Sequence, residues 1–407
     1  MAEDRIVAAL DIGTTKVFVL VGEMDEHGDV YVIGHGQAAA DGLRRGVVVN
    51  MDKSVQSIRK AVEDAEMTSG TEIDRVTVGM AGEHVHSINS HGVVAVTRPD
   101  NEITAADVRK AIEASSAVAI PVDREIIHVI PQVYSVDDQG GIKDPTGMSG
   151  VRLEVESHIV TASVTSAKNI FRALERCHLS VDHMVLEGLA ESTVLLTEDE
   201  MESGCAIVDI GGEMTNASLY FDGAIRHTSV VPLGGRNVTN DIAIGLRTSV
   251  DQAEEMKLAF GAALASAVDP TEMIDVPAVA GRAGKSISRN VLASIIEPRM
   301  EEIFSLVNRG LKTVHRLDMF TAGLILTGGG SILTGTLELA EQIFDMPVRR
   351  GSLRKIKHTP EELDSGPYSS AHGLLVYGFE NEPVDEFSGG VLSSFLKKVE
   401  QWITKRL

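Results

Sequence analysis

A chain of 407 residues with 43% hydrophobic and 24% charged residues is too long for one small core and reads as a soluble globular protein of two to four domains. Its formal net charge of −22 disfavours broad nucleic-acid binding, because phosphate backbones attract basic surfaces. The two cysteines, Cys177 and Cys205, form no disulfide framework or metal-ligand spacing, no run of about 18 apolar residues could span a bilayer, and the opening Met-Ala-Glu-Asp-Arg lacks the basic flank of a signal peptide, so a cytoplasmic protein is expected.

In chain order, strands are predicted at 6–10, 16–23 and 30–37, then a helix over 52–66 whose Val55, Ile58, Ala61, Val62 and Ala65 share one face, then a strand at 76–80. The stretch 82–156 reads as an inserted small α/β subdomain, with a strand at 93–96, a helix opened by Thr104 as N-cap, a strand at 126–136, a Gly/Asp/Pro-rich loop and a strand at 152–161. Helices are expected at 166–176 and 185–196. The second half repeats strands at 217–221 and 224–232, helices at 235–245, 249–259, 288–312 and 335–343, and a small strand-bearing insertion at 260–282. The acidic, turn-rich 380–390 reads as a linker.

The tripeptide Asp-Ile-Gly occurs twice, each time closing an apolar strand: Asp11-Ile-Gly-Thr-Thr15 and Asp209-Ile-Gly-Gly-Glu-Met-Thr215. In each copy a buried strand carries a carboxylate to a turn where glycine permits close backbone approach. Two such turns can clamp a polyphosphate, with backbone N–H groups on the anionic oxygens and the paired Asp11 and Asp209 facing a hydrated Mg²⁺. An ordinary β-turn explains one copy; two copies in corresponding places point to Mg-nucleotide. The first turn is Gly13, Thr14, Thr15 and Lys16, and Lys16 fits either a phosphate contact or a lysine on an exposed strand face. In the second, Gly211, Gly212, Glu213, Met214 and Thr215, the acidic Glu213 fits either contact with metal-bound water or like-charge repulsion of phosphate.

Thr327-Gly328-Gly329-Gly330-Ser331 follows a strand at 324–326 and opens toward a helix, a place for a flat ligand such as adenine against backbone. Glu254 and Lys257 share a helix face; spacing alone favours a surface ion pair over a ribose contact. Gly281-Arg-Ala-Gly284-Lys-Ser286 lacks the first glycine of a phosphate loop, because position 279 is Val, and His84 and His86 have no accompanying ligand cluster.

At 391–407 the residues Val391, Leu392, Phe395, Leu396, Val399, Trp402 and Ile403 fall on one helical stripe, while Lys397, Lys398, Lys405 and Arg406 occupy other faces. This amphipathic, locally basic end, carrying the sole Trp beyond an acidic linker, matches an interfacial anchor for anionic lipid better than a helix docked on the protein itself.

Together the paired Asp-Ile-Gly turns, Leu326-Thr-Gly-Gly-Gly330 and the Glu254/Lys257 helix resemble the actin, Hsp70 and sugar kinase superfamily. Ala9-Leu-Asp-Ile-Gly-Thr-Thr-Lys16, Gly42-Leu-Arg-Arg-Gly-Val-Val48, Ile296-Glu-Pro-Arg-Met-Glu-Glu-Ile303 and the terminal helix are similar to the FtsA family of actin-like bacterial cell-division proteins. The resemblance covers essentially the whole chain. It implies an α/β, actin-like two-lobed ATPase fold with a family-specific inserted small α/β subdomain and a C-terminal amphipathic helix. The expected division is 1–81 and 161–203 in the first lobe, 82–160 inserted, 204–379 the second lobe with a small insertion near 235–315, 380–390 a linker and 391–407 the membrane helix. It further implies ATP and Mg as cofactors, weak ATPase activity at most, head-to-tail polymerisation, and attachment of the C-terminal peptide of FtsZ, and of other division proteins, to the inner face of the cytoplasmic membrane at the division site.

Carried over, Asp11 and Asp209 face Mg²⁺, Gly13 to Lys16 and Gly211 to Thr215 the phosphates, Gly328, Gly329, Gly330 and Ser331 the adenosine, and Glu254 and Lys257 the ribose with Gly234 and Gly235 nearby. Glu187 corresponds to the carboxylate that positions the attacking water, Arg299 to a position at the FtsZ-tail site, and Arg289 is its companion. The departure at Glu213-Met214 from the commoner Gly and Thr bears on hydrolysis more than on binding. A sugar-type kinase of the same superfamily is the alternative. It needs a further Asp base in the cleft and leaves the terminal helix unexplained.

Overall fold

A computed structural model describes residues 5–276, 284–313 and 320–381. The predicted linker beyond 381, and the terminal helix with Phe395, Trp402 and its lysines, lie outside the described residues.

The chain opens with β1 (Arg5–Ile12), β2 (Lys16–Met24) and β3 (Val30–Ala39), then the short hairpin of β4 (Leu43–Arg44) and β5 (Val47–Val48), helix α1 (Met51–Ser69) and β6 (Arg75–Met80). Next come β7 (His86–Ala95), α2 (Ala105–Ser116), β8 (Arg124–Val136), β9 (Gln139–Ile142) and β10 (Arg152–Ser163). The chain returns through α3 (Val164–Glu175), β11 (Ser180–Leu186), α4 (Glu187–Leu195) and α5 (Glu198–Ser203). The second half holds β12 (Cys205–Ile210), β13 (Thr215–Phe221), β14 (Ala224–Val231), α6 (Gly235–Leu246), α7 (Val250–Phe260), β15 (Met273–Val276), β16 (Lys285–Ser288) and α8 (Arg289–Leu311). It closes with β17 (Gly323–Thr327), α9 (Thr336–Phe344), β18 (Val348–Arg350), β19 (Ile356–His358) and α10 (Ser369–Glu380).

Two of the sheets repeat one plan. The first has the order β11-β6-β1-β2-β3-β19 and the second β14-β13-β12-β17-β18, so in each an Asp-Ile-Gly strand sits centrally between an antiparallel hairpin partner and a parallel crossover strand. Central strands buried on both faces read as continuous apolar runs, which is why Ala8-Ala9-Leu10 and Cys205 to Val208 carry no alternation. Leu10, Val19, Ile58, Val78 and Leu174 pack the first lobe beneath α1 and α3; Val208, Ile242, Ile296, Phe304 and Leu326 pack the second.

The sheet β7-β10-β8-β9 with α2 forms its own layer around Ile103, Ile112, Leu153 and Ile159. Thr104 precedes α2, and the Asp107 carboxylate accepts from the Thr104 N–H (3.1 Å) and hydroxyl (2.6 Å), which ties the helix start. This layer meets the outer edge of β14 through side chains: Gln132 Nε2 donates to the Ile225 carbonyl (2.6 Å), Asn89 Nδ2 to that of Arg226 (3.2 Å), and Thr228 Oγ1 to Ser87 Oγ (2.7 Å). An edge strand that would otherwise present free carbonyls is thereby covered.

Three expectations change. The helix predicted at 185–196 begins only at Glu187, because Met184-Val185-Leu186 complete β11, parallel to β6; short apolar runs do not separate strand from helix by periodicity. Residues assigned to the second lobe up to 379 end in the first: β19 pairs with β3, and α10 packs on β1, β2 and α4 through Ala371, Leu374 and Leu375. Glu380, placed in the linker, is the last residue of α10.

α10 is held at its C-terminal end. Arg5, opening β1, donates to the carbonyls of Gly378 (2.7 Å), Phe379 (2.8 Å) and Asn381 (2.8 Å), satisfying the orphan acceptors of the helix C-terminus with a cation.

Candidate nucleotide site

The two Asp-Ile-Gly turns have the same local geometry. A Cβ on Gly13 would lie 2.9 Å from the Lys16 carbonyl oxygen, and one on Gly211 would lie 3.0 Å from that of Met214, so both turns fold the chain back over the glycine three residues on. They also face each other. A Cβ on Gly212 would stand 2.3 Å from Thr15 Cγ2 and 3.3 Å from Thr14 Oγ1, so only glycine lets the lobes approach this closely. Gly328, at φ +78°, abuts the same place: a Cβ there would lie 2.1 Å from Asp209 Oδ1. Beside it, a Cβ on Gly329 would meet nothing within 4 Å, which leaves open space against backbone.

Asp11 and Asp209, both 8% exposed, end the central strands where the turns meet. Burial pushes the carboxyls of both upward; Asp11 raises Asp209 further, while Lys16 works against the shift in both. Glu187 and Glu191, four apart on α4, are also buried, and burial together with Asp11 and Asp209 lifts both well above the carboxylate range. Carboxyls raised in this way hold protons, which a divalent cation at the site would displace. No group of three or more His, Cys, Asp or Glu among the described residues is arranged to hold a metal by itself. Such a donor set suits Mg²⁺, which keeps waters and phosphate oxygens in its shell.

Lys16 does not lie on an exposed strand face. Its Nζ donates to the Pro367 carbonyl (2.8 Å) and stands 3.5 Å from the centre of the Tyr368 ring. Burial lowers its pKa to about 8 against the pull of Asp11 and Asp209. The same turn reaches the glycine run, since the Gly366 carbonyl accepts from the Gly328 N–H (3.3 Å) and the Thr327 hydroxyl (3.3 Å). Ser331 donates from its buried hydroxyl to the Gly328 carbonyl (2.7 Å).

Behind the second turn, the first N–H groups of α6 bind the turn's carbonyls, Gly235 to Gly211 (2.9 Å) and Arg236 to Gly212 (2.7 Å), with Gly234 as N-cap. Glu254 and Lys257 form the i,i+3 ion pair that their spacing favoured, with the lysine nearly buried and the glutamate side chain 43% exposed. Lys257 Nζ donates to Glu254 Oε2 (2.8 Å), Thr239 Oγ1 (2.9 Å) and the Gly235 carbonyl (3.2 Å), and the Thr239 hydroxyl also binds Glu254, so the two brace the start of α6. Thr215 turns its hydroxyl to the Leu233 carbonyl (2.9 Å) and stiffens the turn from behind. Glu213 accepts from the Arg45 N–H (2.9 Å) and pairs with Arg236 (3.4 Å).

Arg289 and Arg299 lie away from this cleft on α8, each engaged by acids: Arg289 with Glu272 (2.9 Å), Arg299 with Asp241 (2.6 Å) and Glu302. Sequence reasoning missed Glu191, Gly366, Pro367 and Tyr368. Only Glu191 had a signal, its helical spacing from Glu187.

The family model "Cell division protein FtsA" matches residues 206–373, and "SHS2 domain inserted in FTSA" matches 82–161. The chain is similar to the cell division protein FtsA of Pseudomonas aeruginosa, 42% identical over 98% of this chain and 97% of the relative. Among solved structures it is similar in fold to the PilM-PilN type IV pilus biogenesis complex (TM-score 0.67, 17% identity, 92% of this chain and 99% of that one). It is also similar to MreB5 of Spiroplasma citri bound to ADP (TM-score 0.57, 13% identity, 92% and 96%).

Proposed function

Because the chain belongs to the FtsA family of cell division proteins, with an actin-like fold, we propose that it is an ATP-binding cytoskeletal adaptor that polymerises and tethers FtsZ filaments to the inner face of the cytoplasmic membrane. The observation that supports this best is the pair of matching glycine turns that meet at Gly212 and Thr15 with Asp11 and Asp209 buried between them. Mg²⁺ would displace the protons that burial keeps on Asp11 and Asp209, and the turns would hold the phosphates. Asp11 and Asp209 face the metal's waters, Lys16 lies within reach as a point charge, and the space over Gly329 takes the adenosine. Glu187, once its proton is lost, would orient a water for slow hydrolysis.

Arg289 and Arg299 are the cations offered to an acidic FtsZ tail, which would exchange with Glu272, Asp241 and Glu302. The amphipathic stripe of 391–407 supplies the membrane anchor; no described helix is long and apolar enough to cross a bilayer. Membership in a cell-division family weighs against the sugar-kinase alternative. Sedimentation with anionic liposomes, with and without Mg-ATP and with residues 391–407 removed, tests the reading. The full chain is expected to pellet and to form larger assemblies with Mg-ATP, and the truncated chain to stay in the supernatant; equal pelleting of both would refute the anchor.

A further inference from the structure

The acidic residue in the second turn has both oxygens engaged away from the space between the turns. Arg45 and Gly46 form the two-residue tip of the β4–β5 hairpin, with φ of +47° and +73°, the left-handed pair that a type I′ turn requires. Glycine meets that demand freely, and arginine adopts it at a steric cost, so the conformation is kept by its surroundings. One of these is Glu213: its Oε2 accepts the Arg45 N–H at 2.9 Å, and its Oε1 lies 3.4 Å from Arg236 Nη1. The Glu213 side chain is 15% exposed, so the contact is largely removed from water. The tip is fixed on its other side as well, since a Cβ on Gly46 would lie 2.2 Å from the Ala81 carbonyl oxygen, where the chain enters the inserted layer. The hairpin belongs to the first lobe and Glu213 to the second, so this hydrogen bond crosses the mouth of the cleft beside the Gly212 and Thr15 contact.

We propose that Glu213 is a positioning residue that latches the phosphate end of the cleft through Arg45, setting how fast a polyphosphate ligand enters and leaves rather than how tightly it is recognised. The inference rests on the nucleotide reading above. It accounts for an acidic side chain in a phosphate turn, because a carboxylate held by an N–H and a guanidinium is turned from the ligand and partly neutralised. Opening the cleft breaks the Arg45 bond; closing restores it with or without ligand. The latch therefore acts on both rates together.

Stopped-flow mixing with a fluorescent ATP analogue and Mg²⁺, reading entry, release and equilibrium affinity from one signal, separates the possibilities. Glu213→Ala removes both arms, Glu213→Gln keeps an acceptor for Arg45 without the charge, and Arg236→Met removes the guanidinium arm alone. Release from Glu213→Ala is expected to be roughly tenfold faster, as for loss of a charge-assisted hydrogen bond, with entry faster as well and affinity changed less than about threefold. Glu213→Gln and Arg236→Met should fall between it and the wild type, and being mild changes they carry the test if Glu213→Ala does not fold. Unchanged release in the variants overturns the latch, and so does faster release with entry unchanged, the mark of a lost direct contact. Absence of binding by the wild type overturns the nucleotide reading itself, a result distinct from either.

Discussion

The two Asp-Ile-Gly turns share a backbone and differ in what their side chains do. Each folds the chain back over a glycine so that its Cβ position meets a carbonyl three residues on, at 2.9 Å in the first and 3.0 Å in the second. Beyond that they differ. The first ends in Lys16, whose ammonium donates to the Pro367 carbonyl, and carries Thr15, which is exposed and makes no side-chain hydrogen bond among the described residues. The second ends in Met214, buried in the lobe, with Thr215 tied to Leu233 and Glu213 tied to Arg45 and Arg236. Equivalent positions in a repeated turn thus need not have equivalent surroundings: the backbone makes the same fold twice, while one copy leaves Thr15 exposed and the other ties Glu213 and Thr215 to neighbours.

The largest expected break of this contrast comes from giving the second turn the side chain of the first. Met214→Lys buries an ammonium without a partner and should lower unfolding stability by roughly 3 kcal/mol or more, without any gain in nucleotide affinity. Chemical denaturation measures it, and a stable variant with tighter binding would erase the distinction drawn here. Next in size, Asp11→Ala and Asp209→Ala should each weaken Mg-ATP binding in calorimetry by roughly tenfold to a hundredfold, the worth of a charge-assisted contact, while leaving the fold intact since each relieves carboxylate crowding. A loss in only one of the pair would mean that the turns do not share a metal.

The threonines sharpen the comparison further. Thr215→Val strands the Leu233 carbonyl and should cost about 1–2 kcal/mol of stability, whereas Thr15→Val should leave stability within about 0.5 kcal/mol and act on nucleotide affinity instead. The smallest effect compares the lobes with the seam of the inserted layer. His158 is buried beside Asn89, and burial holds its pKa down at about 3 against an ordinary 6.5. Between those values the unfolded chain binds a proton that the folded chain refuses, so stability falls as pH falls. From pH 7.5 to 5.5 the loss is about 1 kcal/mol, and His158→Gln should flatten that part of the stability profile.

What the sequence made legible follows from how far each interaction reaches along the chain. The Asp-Ile-Gly strands are local signals, an apolar run and a glycine within ten residues, and the structure places both at the centres of their sheets. Thr104 and its helix are local too, completed three residues away by Asp107. Lys16 is different. Its partners Pro367 and Tyr368 lie some 350 residues on, and nothing near position 16 distinguishes a lysine on a strand from one under a distant turn. The same limit hid the return of β19 and α10 to the first lobe, since Ser369 to Glu380 is buried on nearly all sides and carries little amphipathic signal. Glu254 and Lys257 had the spacing of a surface pair; what makes them a brace is Thr239 and Gly235 on another helix.

The grip of Arg5 on the end of α10 has a mechanical consequence. The chain leaves that helix at Asn381 toward the amphipathic segment, and the carbonyl of Asn381 is one of the three that Arg5 holds. A pull on the tail is therefore taken up at the first residue of β1, at one end of a strand whose other end carries Asp11. Because β1 is bonded along its length to β2 and at its centre to β6, a load on Arg5 is shared by a row of backbone hydrogen bonds. Tension at Asn381 is thus passed to the central strand of the first lobe, and the Asp11 turn lies at the far end of that strand.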